Sequence, residues 1–102
     1  MKGYLIFEIE ITDAEAWAAY QAMARPIMAA SGGQFLASDP AVTPLEGGWA
    51  PKSLSIVEFP SVAAAQSFYH SPDYQKTVPA RQAASIGRGV LVTGLPPPGD
   101  AA

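Results

Sequence analysis

Two glutamates and the only histidine are the side chains best suited to move a proton. Glu8 and Glu58 share the same alternating parity in two segments that we expect to lie side by side as parallel strands. Two carboxylates held close together raise one pKa, which makes a candidate general base. The alternative is that both are hydrated or paired with cations of a partner chain. A histidine side chain in water has a pKa of about 6.5, a value that suits proton transfer, so His70 is a candidate; the alternative is an imidazole that only caps a helix end. Glu58 and His70 are the catalytic candidates.

Aromatic and arginine side chains form a second set. An apolar pocket with a few polar tips is typical of small-molecule sites, and Tyr20, Trp49 and Tyr69 could line one. Arg81 could hold the carboxylate of a ligand through two hydrogen bonds. The alternatives are an ordinary aromatic core with satisfied hydroxyls and a salt bridge for Arg81 in solvent or at an interface. We predict these four residues as the ligand-binding set.

Several classes of site are excluded by residue counts. The chain has no cysteine, which removes disulfides, thiolate catalysis and cysteine-held metals, and one histidine, which removes a multi-histidine site within one chain. Haem ligation by His70 would require an apolar cleft large enough for a porphyrin beside it. The pairs Gly32-Gly33 and Gly47-Gly48 are too sparse for a phosphate-binding loop. We predict no metal and no cofactor.

Length and charge indicate one small domain. A chain of 102 residues can bury a single core. Six Lys and Arg against nine Asp and Glu give a net charge of −3, which disfavours nucleic acid as a partner. The longest uncharged stretch, Phe59 to Pro72, is shorter than the roughly 20 apolar residues of a membrane span, and no signal-peptide pattern precedes it. We therefore expect a cytoplasmic protein that binds neither nucleic acid nor membrane.

Alternation of side chains predicts four strands, at residues 2–11, 34–38, 53–59 and 88–95. A capping box from Thr12 to Glu15 predicts the start of the first helix, and Gly32-Gly33 its end. Pro26 predicts a kink or a restart within that helix. Residues 39–51 are expected to be irregular, since prolines and glycines recur there.

A second helix is expected over residues 62–69, with Ser61 as its N-cap. Ser71-Pro72 predicts a further short helical stretch through Tyr74. The resulting order, β-α-β-β-α-β, is typical of a ferredoxin-like α+β fold: a four-stranded antiparallel sheet with the helices on one face. We assign this domain to residues 1–95 and an extended or disordered Pro-rich tail to residues 96–102.

The second face of the predicted sheet has to be covered. It would expose Tyr4 and Ile6 from the first strand and Leu54 and Ile56 from the third, which is a large apolar patch. Burial against a second copy would remove this patch from water. The predicted partner is therefore the chain itself, as a homodimer that packs through its sheet faces.

Short motifs along the chain form a recognisable set when they are taken together: Tyr4-Leu5-Ile6, Ile11-Thr12-Asp13, Tyr20, Gly32-Gly33, Leu45-Glu46-Gly47, Trp49, Glu58-Phe59-Pro60-Ser61, Phe68-Tyr69, Ser71-Pro72-Asp73-Tyr74-Gln75 and Arg81. Through this set the sequence resembles the family of domain of unknown function 1330, within the dimeric α/β-barrel superfamily of ferredoxin-like proteins, over about residues 3 to 94. The resemblance implies two sheets packed face to face as a dimeric α/β barrel with the helices outside. It implies no activity, since the family is named for lacking one, and related barrels include cofactor-independent monooxygenases and isomerases.

Two function hypotheses follow. The first is cofactor-independent oxygenase-like or isomerase-like chemistry on a small apolar or aromatic molecule. The alternative is a module without enzymatic activity that binds a small molecule or another protein. They differ in whether solvent reaches the tyrosine hydroxyls and His70 in a concave site.

Overall fold

Residues 1–97, which the computed structural model describes, form four strands and four helices. The strands are β1 (Gly3–Ile11), β2 (Gln34–Asp39), β3 (Leu54–Phe59) and β4 (Ser85–Thr93). The helices are α1 (Ala14–Ala30), α2 (Val62–His70), α3 (Pro72–Gln75) and α4 (Val78–Ala84). The predicted irregular segment is present between β2 and β3.

The strands form one antiparallel sheet in the order β2-β3-β1-β4. This confirms the predicted ferredoxin-like α+β fold. Within one chain the sheet is open, with β2 and β4 at its edges, so a barrel would require a second copy.

The predicted parallel pairing of Glu8 and Glu58 is wrong. β1 and β3 are antiparallel, and their register pairs Tyr4 with Glu58 and Glu8 with Leu54. The two glutamates share a sheet face, but four residues of β1 separate their positions, which is about 13 Å along an extended strand. The connection through α1 and β2 reverses the chain direction between β1 and β3, so equal parity did not bring the carboxylates together.

Helix α1 begins one residue later than the capping box predicts. Asp13 is the N-cap, and its side chain accepts a hydrogen bond from the Ala16 amide at 3.0 Å. The amide of Thr12 instead donates to the carbonyl of Ala84 at 2.9 Å, which ties Thr12 to the end of α4. The predicted Thr12 cap is therefore wrong, because a tertiary contact competes with it.

Pro26 does not restart the helix, because α1 runs without a break from Ala14 to Ala30. Buried residues on either side of Pro26, Ala24 and Met28, pack against the core, while Pro26 itself is exposed and water can reach the carbonyl that it leaves unbonded. The helix then ends as predicted: Gly32 has a φ of 84°, and the amides of Gly32 and Gly33 bond back to Ala29 and Met28.

The remaining caps follow the prediction, whereas the last strand does not. Ser61 accepts from the Ala64 amide at 3.0 Å, and Ser71 accepts from the Tyr74 amide at 3.2 Å. β4 begins at Ser85, three residues before the predicted start, because its ladder with β1 extends to the pair of Ile11 and Ser85.

The two faces of the sheet are covered unequally. The helix-facing side packs against α1, α2 and α3 in one core that includes Leu5, Val57, Phe59, Phe68 and Tyr74. We call the opposite side the open face. Its residues from β1, β3 and β4 are Tyr4, Ile6, Glu8, Leu54, Ile56, Glu58, Ile86, Arg88, Val90 and Val92, and Ala37 of β2 lies beside Ile56. Ile86 and Val90 on this face are 67% and 59% exposed.

The remaining predictions concern the absence of a membrane span, the cellular location and the Pro-rich tail. Within residues 1–97, no helix is long and apolar enough to cross a membrane; the cytoplasmic location stays a prediction. Pro96 and Pro97 have no regular secondary structure. The rest of the predicted tail, residues 98–102, lies outside the described residues, and the domain boundary at 95 stays a prediction.

Candidate functional site

A cleft of about 310 Å³ lies between the helix-facing side of β1 and β4 and the helices α2 and α4. We call it the β4 cleft. Its lining residues are Leu5, Phe7, Ile9, Ala65, Gln66, Tyr69, His70, Arg81, Gln82, Ser85, Gly87, Arg88, Gly89, Val90 and Leu91. The strands provide an apolar floor, and the helices provide most of the polar groups.

Two glycines of β4 make room for this floor. A Cβ atom at Gly87 would lie 2.5 Å from Cδ1 of Ile9, and one at Gly89 would lie 2.6 Å from the ring of Phe7. Side chains from β1 therefore extend across the positions where β4 has none. Any other residue at either glycine would push these side chains aside and fill the cleft from below.

Arg81 extends from α4 to the cleft and is held by aromatic groups. Its Nη1 donates to the hydroxyl of Tyr74 at 3.0 Å, and its guanidinium lies 5.8 Å from the ring centre of Phe7. Burial alone would lower the pKa of Arg81, but attraction to the Tyr74 oxygen and their hydrogen bond outweigh burial and raise it. In the described part of the chain, no carboxylate lies within 4.0 Å of this guanidinium.

Tyr20 supports this arrangement from the interior. Its hydroxyl and that of Tyr74 share a hydrogen bond of 2.8 Å, and the two residues are only 7% and 1% exposed. Burial and this hydrogen bond raise the pKa of Tyr20 above its ordinary value. Tyr20 does not line the β4 cleft. It lines a smaller cavity under α1 that shares Phe7 and Arg81 with the cleft.

Tyr74 is the site residue that the predicted ligand-binding set lacks. Its hydroxyl is hydrogen-bonded to two predicted residues, Tyr20 and Arg81. The spacing of seven residues between Tyr74 and Arg81 is a weak sequence signal of their contact. Tyr74 lies in α3 and Arg81 in α4, and the sequence does not show how these two helices are oriented relative to each other. A buried tyrosine hydroxyl needs a hydrogen-bond partner, and this requirement was the clue in the sequence that could have pointed to Tyr74.

Tyr69 and His70 line the β4 cleft from the last turn of α2. Their rings meet edge to face with centres 5.2 Å apart, and Tyr69 also lies 5.8 Å from the ring of Tyr74. Tyr69 is half-buried, whereas His70 is exposed at the helix end. Solvent therefore reaches both groups, as a ligand site requires.

Glu58, the other catalytic candidate, lies away from the cleft on the open face. It accepts a hydrogen bond from the Tyr4 hydroxyl at 3.2 Å and pairs with Lys2 at 3.5 Å. Glu8 on the same face accepts from Nε of Arg88 at 2.6 Å. The strand parity that buries Val57 and Phe59 turns Glu58 outward, so it does not join His70 in one site.

Trp49 also lies outside the β4 cleft. It belongs to the irregular segment between β2 and β3, is 56% exposed, and borders a shallow depression with Leu45 and Leu54. Of the four predicted ligand-binding residues, the structure brings Tyr69 and Arg81 together in the cleft and places Tyr20 behind them.

The chemistry that the cleft offers is hydrogen bonding, attraction of negative charge and proton exchange. Arg81, Tyr69 and His70 supply donors, and His70 can also accept a proton. Among residues 1–97, no group of three histidine, cysteine or acidic side chains is placed to hold a metal ion.

Solved structures share this fold along most of the chain. The RPA0582 protein of unknown function from Rhodopseudomonas palustris is 26% identical, with a TM-score of 0.76 over 94% of this chain and 84% of that chain. SnoaB, a cofactor-independent oxygenase from Streptomyces nogalater, is 14% identical, with a TM-score of 0.65 over 96% and 97%. A dimeric ferredoxin-like protein of unknown function from Jannaschia sp. CCS1 is 13% identical, with a TM-score of 0.64 over 92% and 100%. The last two share the fold alone.

No curated protein matches this chain. The model of one family, described as domain of unknown function (DUF1330), matches residues 2–95. That range includes every strand and helix of the fold and every residue of the β4 cleft. The resemblance inferred from the short motifs is therefore confirmed, and the chain belongs to the DUF1330 family.

Proposed function

We propose that the protein binds a small apolar or aromatic molecule in the β4 cleft. The observation that carries this proposal is the combination of an apolar floor, from residues such as Phe7 and Leu91, with polar groups that come mostly from the helices. A volume of about 310 Å³ is near the lower end of the roughly 300–1,000 Å³ that small-molecule sites occupy. A ligand of one or two fused rings fits that size.

A titration followed by amide NMR tests the proposal with naphthalene-2-carboxamide, a neutral two-ring probe. We expect saturable shifts at the amides of Gly87 and Gly89, because these residues line the cleft beside β1. Gln66→Trp places an indole in the cleft and should weaken binding. Ser67→Trp adds the same group at the neighbouring exposed position of α2, outside the lining, and should leave binding unchanged. Shifts absent, or confined to the open face, would overturn the proposal.

The second part of the proposal is that the cleft carries out cofactor-independent chemistry of the oxygenase or isomerase type. Support comes from His70, an exposed base beside Tyr69 in the lining, and from the fold shared with SnoaB. Proton transfer is the step common to both reaction types. The alternative is a binding module without turnover.

Hydrogen exchange on phenylpyruvate separates these alternatives. In deuterated water, His70 would take a benzylic proton from the probe, and the same carbon would receive a deuteron. We expect exchange faster than with an equal concentration of free imidazole, and we expect His70→Gln to reduce it to the buffer rate. Exchange no faster than with free imidazole, together with retained binding of the naphthalene probe, would favour the module without turnover.

We also propose that a second copy covers the open face. Its central cross-strand row is entirely apolar, with Ala37, Ile56, Ile6 and Val90 in register, and ion pairs lie in the rows on either side. An apolar centre with a polar rim is the usual anatomy of an interface. The Jannaschia neighbour, described as dimeric, shares the fold. Sedimentation at micromolar concentration should show a dimer, and a stable monomer would remove this part of the proposal.

A further inference from the structure

The charge of the β4 cleft differs from that of the chain as a whole. The chain has a net charge of −3, with nine Asp and Glu against six Lys and Arg. The helices nevertheless contribute Arg81 and His70 to the lining of the cleft, which includes no aspartate or glutamate among the described residues; Arg88 also borders the cleft, but it belongs to the open face. A neutral apolar ligand would gain nothing from this distribution.

Among the cations that line the cleft, Arg81 is the best candidate to attract an anionic ligand. Arg88 is already neutralised by Glu8 at 2.6 Å, and His70 is exposed to water. Arg81 is partly buried among the hydroxyl of Tyr74, the ring of Phe7 and the phenol of Tyr69, none of which is a carboxylate. Removing a guanidinium from water without a counter-charge is unfavourable, so a carboxylate at this place would be strongly attracted.

The Tyr20–Tyr74 pair also holds Arg81 in place before any ligand arrives. The bond between the two buried hydroxyls fixes the phenol that receives Nη1, and a guanidinium with five N–H donors can still donate to a ligand. A guanidinium fixed in this way loses less side-chain entropy when a carboxylate bonds to it.

Building on the proposed small-molecule site, we propose that the ligand of the β4 cleft is an apolar monocarboxylate. Its ring lies on the floor between Phe7 and the β4 glycines, and its carboxylate bonds to Arg81. Tyr69 is the second donor on the same side of the cleft. Tyr20 and Tyr74 are positioning residues, which act through Arg81 and do not touch the ligand.

A matched pair of probes tests the charge of the ligand separately from its binding. Naphthalene-2-carboxylate and naphthalene-2-carboxamide have the same ring and nearly the same shape, and only the first is an anion at neutral pH. We expect the carboxylate to bind about tenfold more tightly or better, since charge-assisted bidentate bonds are roughly twice as strong as neutral ones. Gly87 and Gly89 amide shifts report both titrations.

Variants assign the difference to Arg81. Arg81→Gln should make the two probes bind with similar affinity, and Arg81→Lys should restore part of the preference. Lys76→Gln removes one positive charge from an exposed position outside the cleft and should preserve the preference. High sodium chloride, applied to the unaltered chain, should weaken only the carboxylate, which keeps the test valid if Arg81→Gln does not fold.

The outcomes are distinguishable. Equal affinity of the two probes for the unaltered chain would overturn the carboxylate proposal and leave the small-molecule site standing. A preference that survives Arg81→Gln would overturn the role of Arg81. Absence of binding by both probes would overturn the small-molecule site itself.

Discussion

The two faces of the sheet differ in whether their charged side chains are paired. On the open face, Glu58 pairs with Lys2 and Glu8 pairs with Arg88, so each carboxylate has a cation from the same chain. On the helix-facing side, the described residues place no carboxylate beside Arg81. A guanidinium without a carboxylate partner attracts an anion more strongly than one that is already paired, which is the basis of the proposed carboxylate site. Residue types alone pointed to both Glu58 and Arg81, and only the pairing of charges separates them.

The faces also differ in burial. Val57 and Phe59 on the helix-facing side are fully buried, whereas Ile86 and Val90 on the open face are more than half exposed. The core of the single chain is therefore on one side of the sheet, and any burial on the other side depends on a second copy. Substitutions on the two sides should consequently differ in size and in dependence on protein concentration.

The largest expected effect is the loss of a core ring. Phe59→Ala should lower the free energy of unfolding by about 3–5 kcal/mol, because Phe59 stacks on Phe68 with ring centres 5.3 Å apart and would leave a cavity. Ile86→Ala, measured at concentrations low enough for a monomer, should change it by no more than about 0.5 kcal/mol. Urea unfolding measures both, and equal losses would contradict the assignment of the core to one face.

A charge in the apolar row of the open face should come next. Val90→Asp should raise the dimer dissociation constant by about two orders of magnitude, since an unpaired charge buried at an interface costs about 3 kcal/mol or more. Sedimentation measures the constant, and the circular dichroism spectrum should stay that of the folded chain. Lys52→Asp, at an exposed loop position, is the control for added negative charge. An unchanged constant in Val90→Asp would place the interface elsewhere.

Alkaline pH should distinguish the buried tyrosine from one on the open face. Burial and the bond to Tyr74 raise the pKa of Tyr20, so the native state holds this proton more tightly than the unfolded chain does. Its contribution to stability is complete below about pH 10 and is lost as the pH rises above that value, by up to about 1.4 kcal/mol per unit.

Urea unfolding across about pH 9 to 11 measures this loss. Tyr20→Phe should flatten the decline. Tyr4→Phe should flatten it less, because Tyr4 is only partly buried on the open face, whereas Tyr20 is buried in the core. If Tyr4→Phe flattens the decline more than Tyr20→Phe, the interior hydroxyl pair does not dominate the alkaline loss.

The smallest effect is expected from the ion pairs of the open face. Glu58→Gln and Glu8→Gln should each change the free energy of unfolding by about 1 kcal/mol or less in the monomer, because both cations are largely exposed. The double variant should show nearly additive losses, since about 13 Å of strand separates the two carboxylates. Strong coupling between them would restore the predicted glutamate pair.

Local signals predicted most of the elements correctly. Alternation around β1 and β3, the serine caps at Ser61 and Ser71, and Gly32 at the end of α1 each depend on residues within a few positions of one another. The errors occur where a distant segment intervenes. Thr12 is not the N-cap of α1, since its amide bonds to the carbonyl of Ala84. The glycine-containing start of β4 is a strand because it pairs with β1.

The candidate site likewise has one part that residue types predicted and another that depends on tertiary packing. That Tyr69 and Arg81 could serve a ligand followed from residue chemistry, and both line the β4 cleft. That Trp49 lies elsewhere, and that Tyr74 joins Tyr20 to Arg81, required the packing of helices that are far apart in sequence. The volume of the cleft depended on Gly87 and Gly89, which gave no sequence signal of a pocket.

The sequence by itself determined the periodicity of each strand, most helix ends, the fold class and the family, because these depend on side-chain alternation, capping and short motifs. Only the tertiary structure decided that β1 and β3 run antiparallel, which separated the two glutamates and turned Glu58 away from His70. Parity indicates which residues share a face, but register and direction come from the path of the whole chain. The tertiary structure likewise left Arg81 without a carboxylate partner among the described residues, because the distances between charges are set by packing.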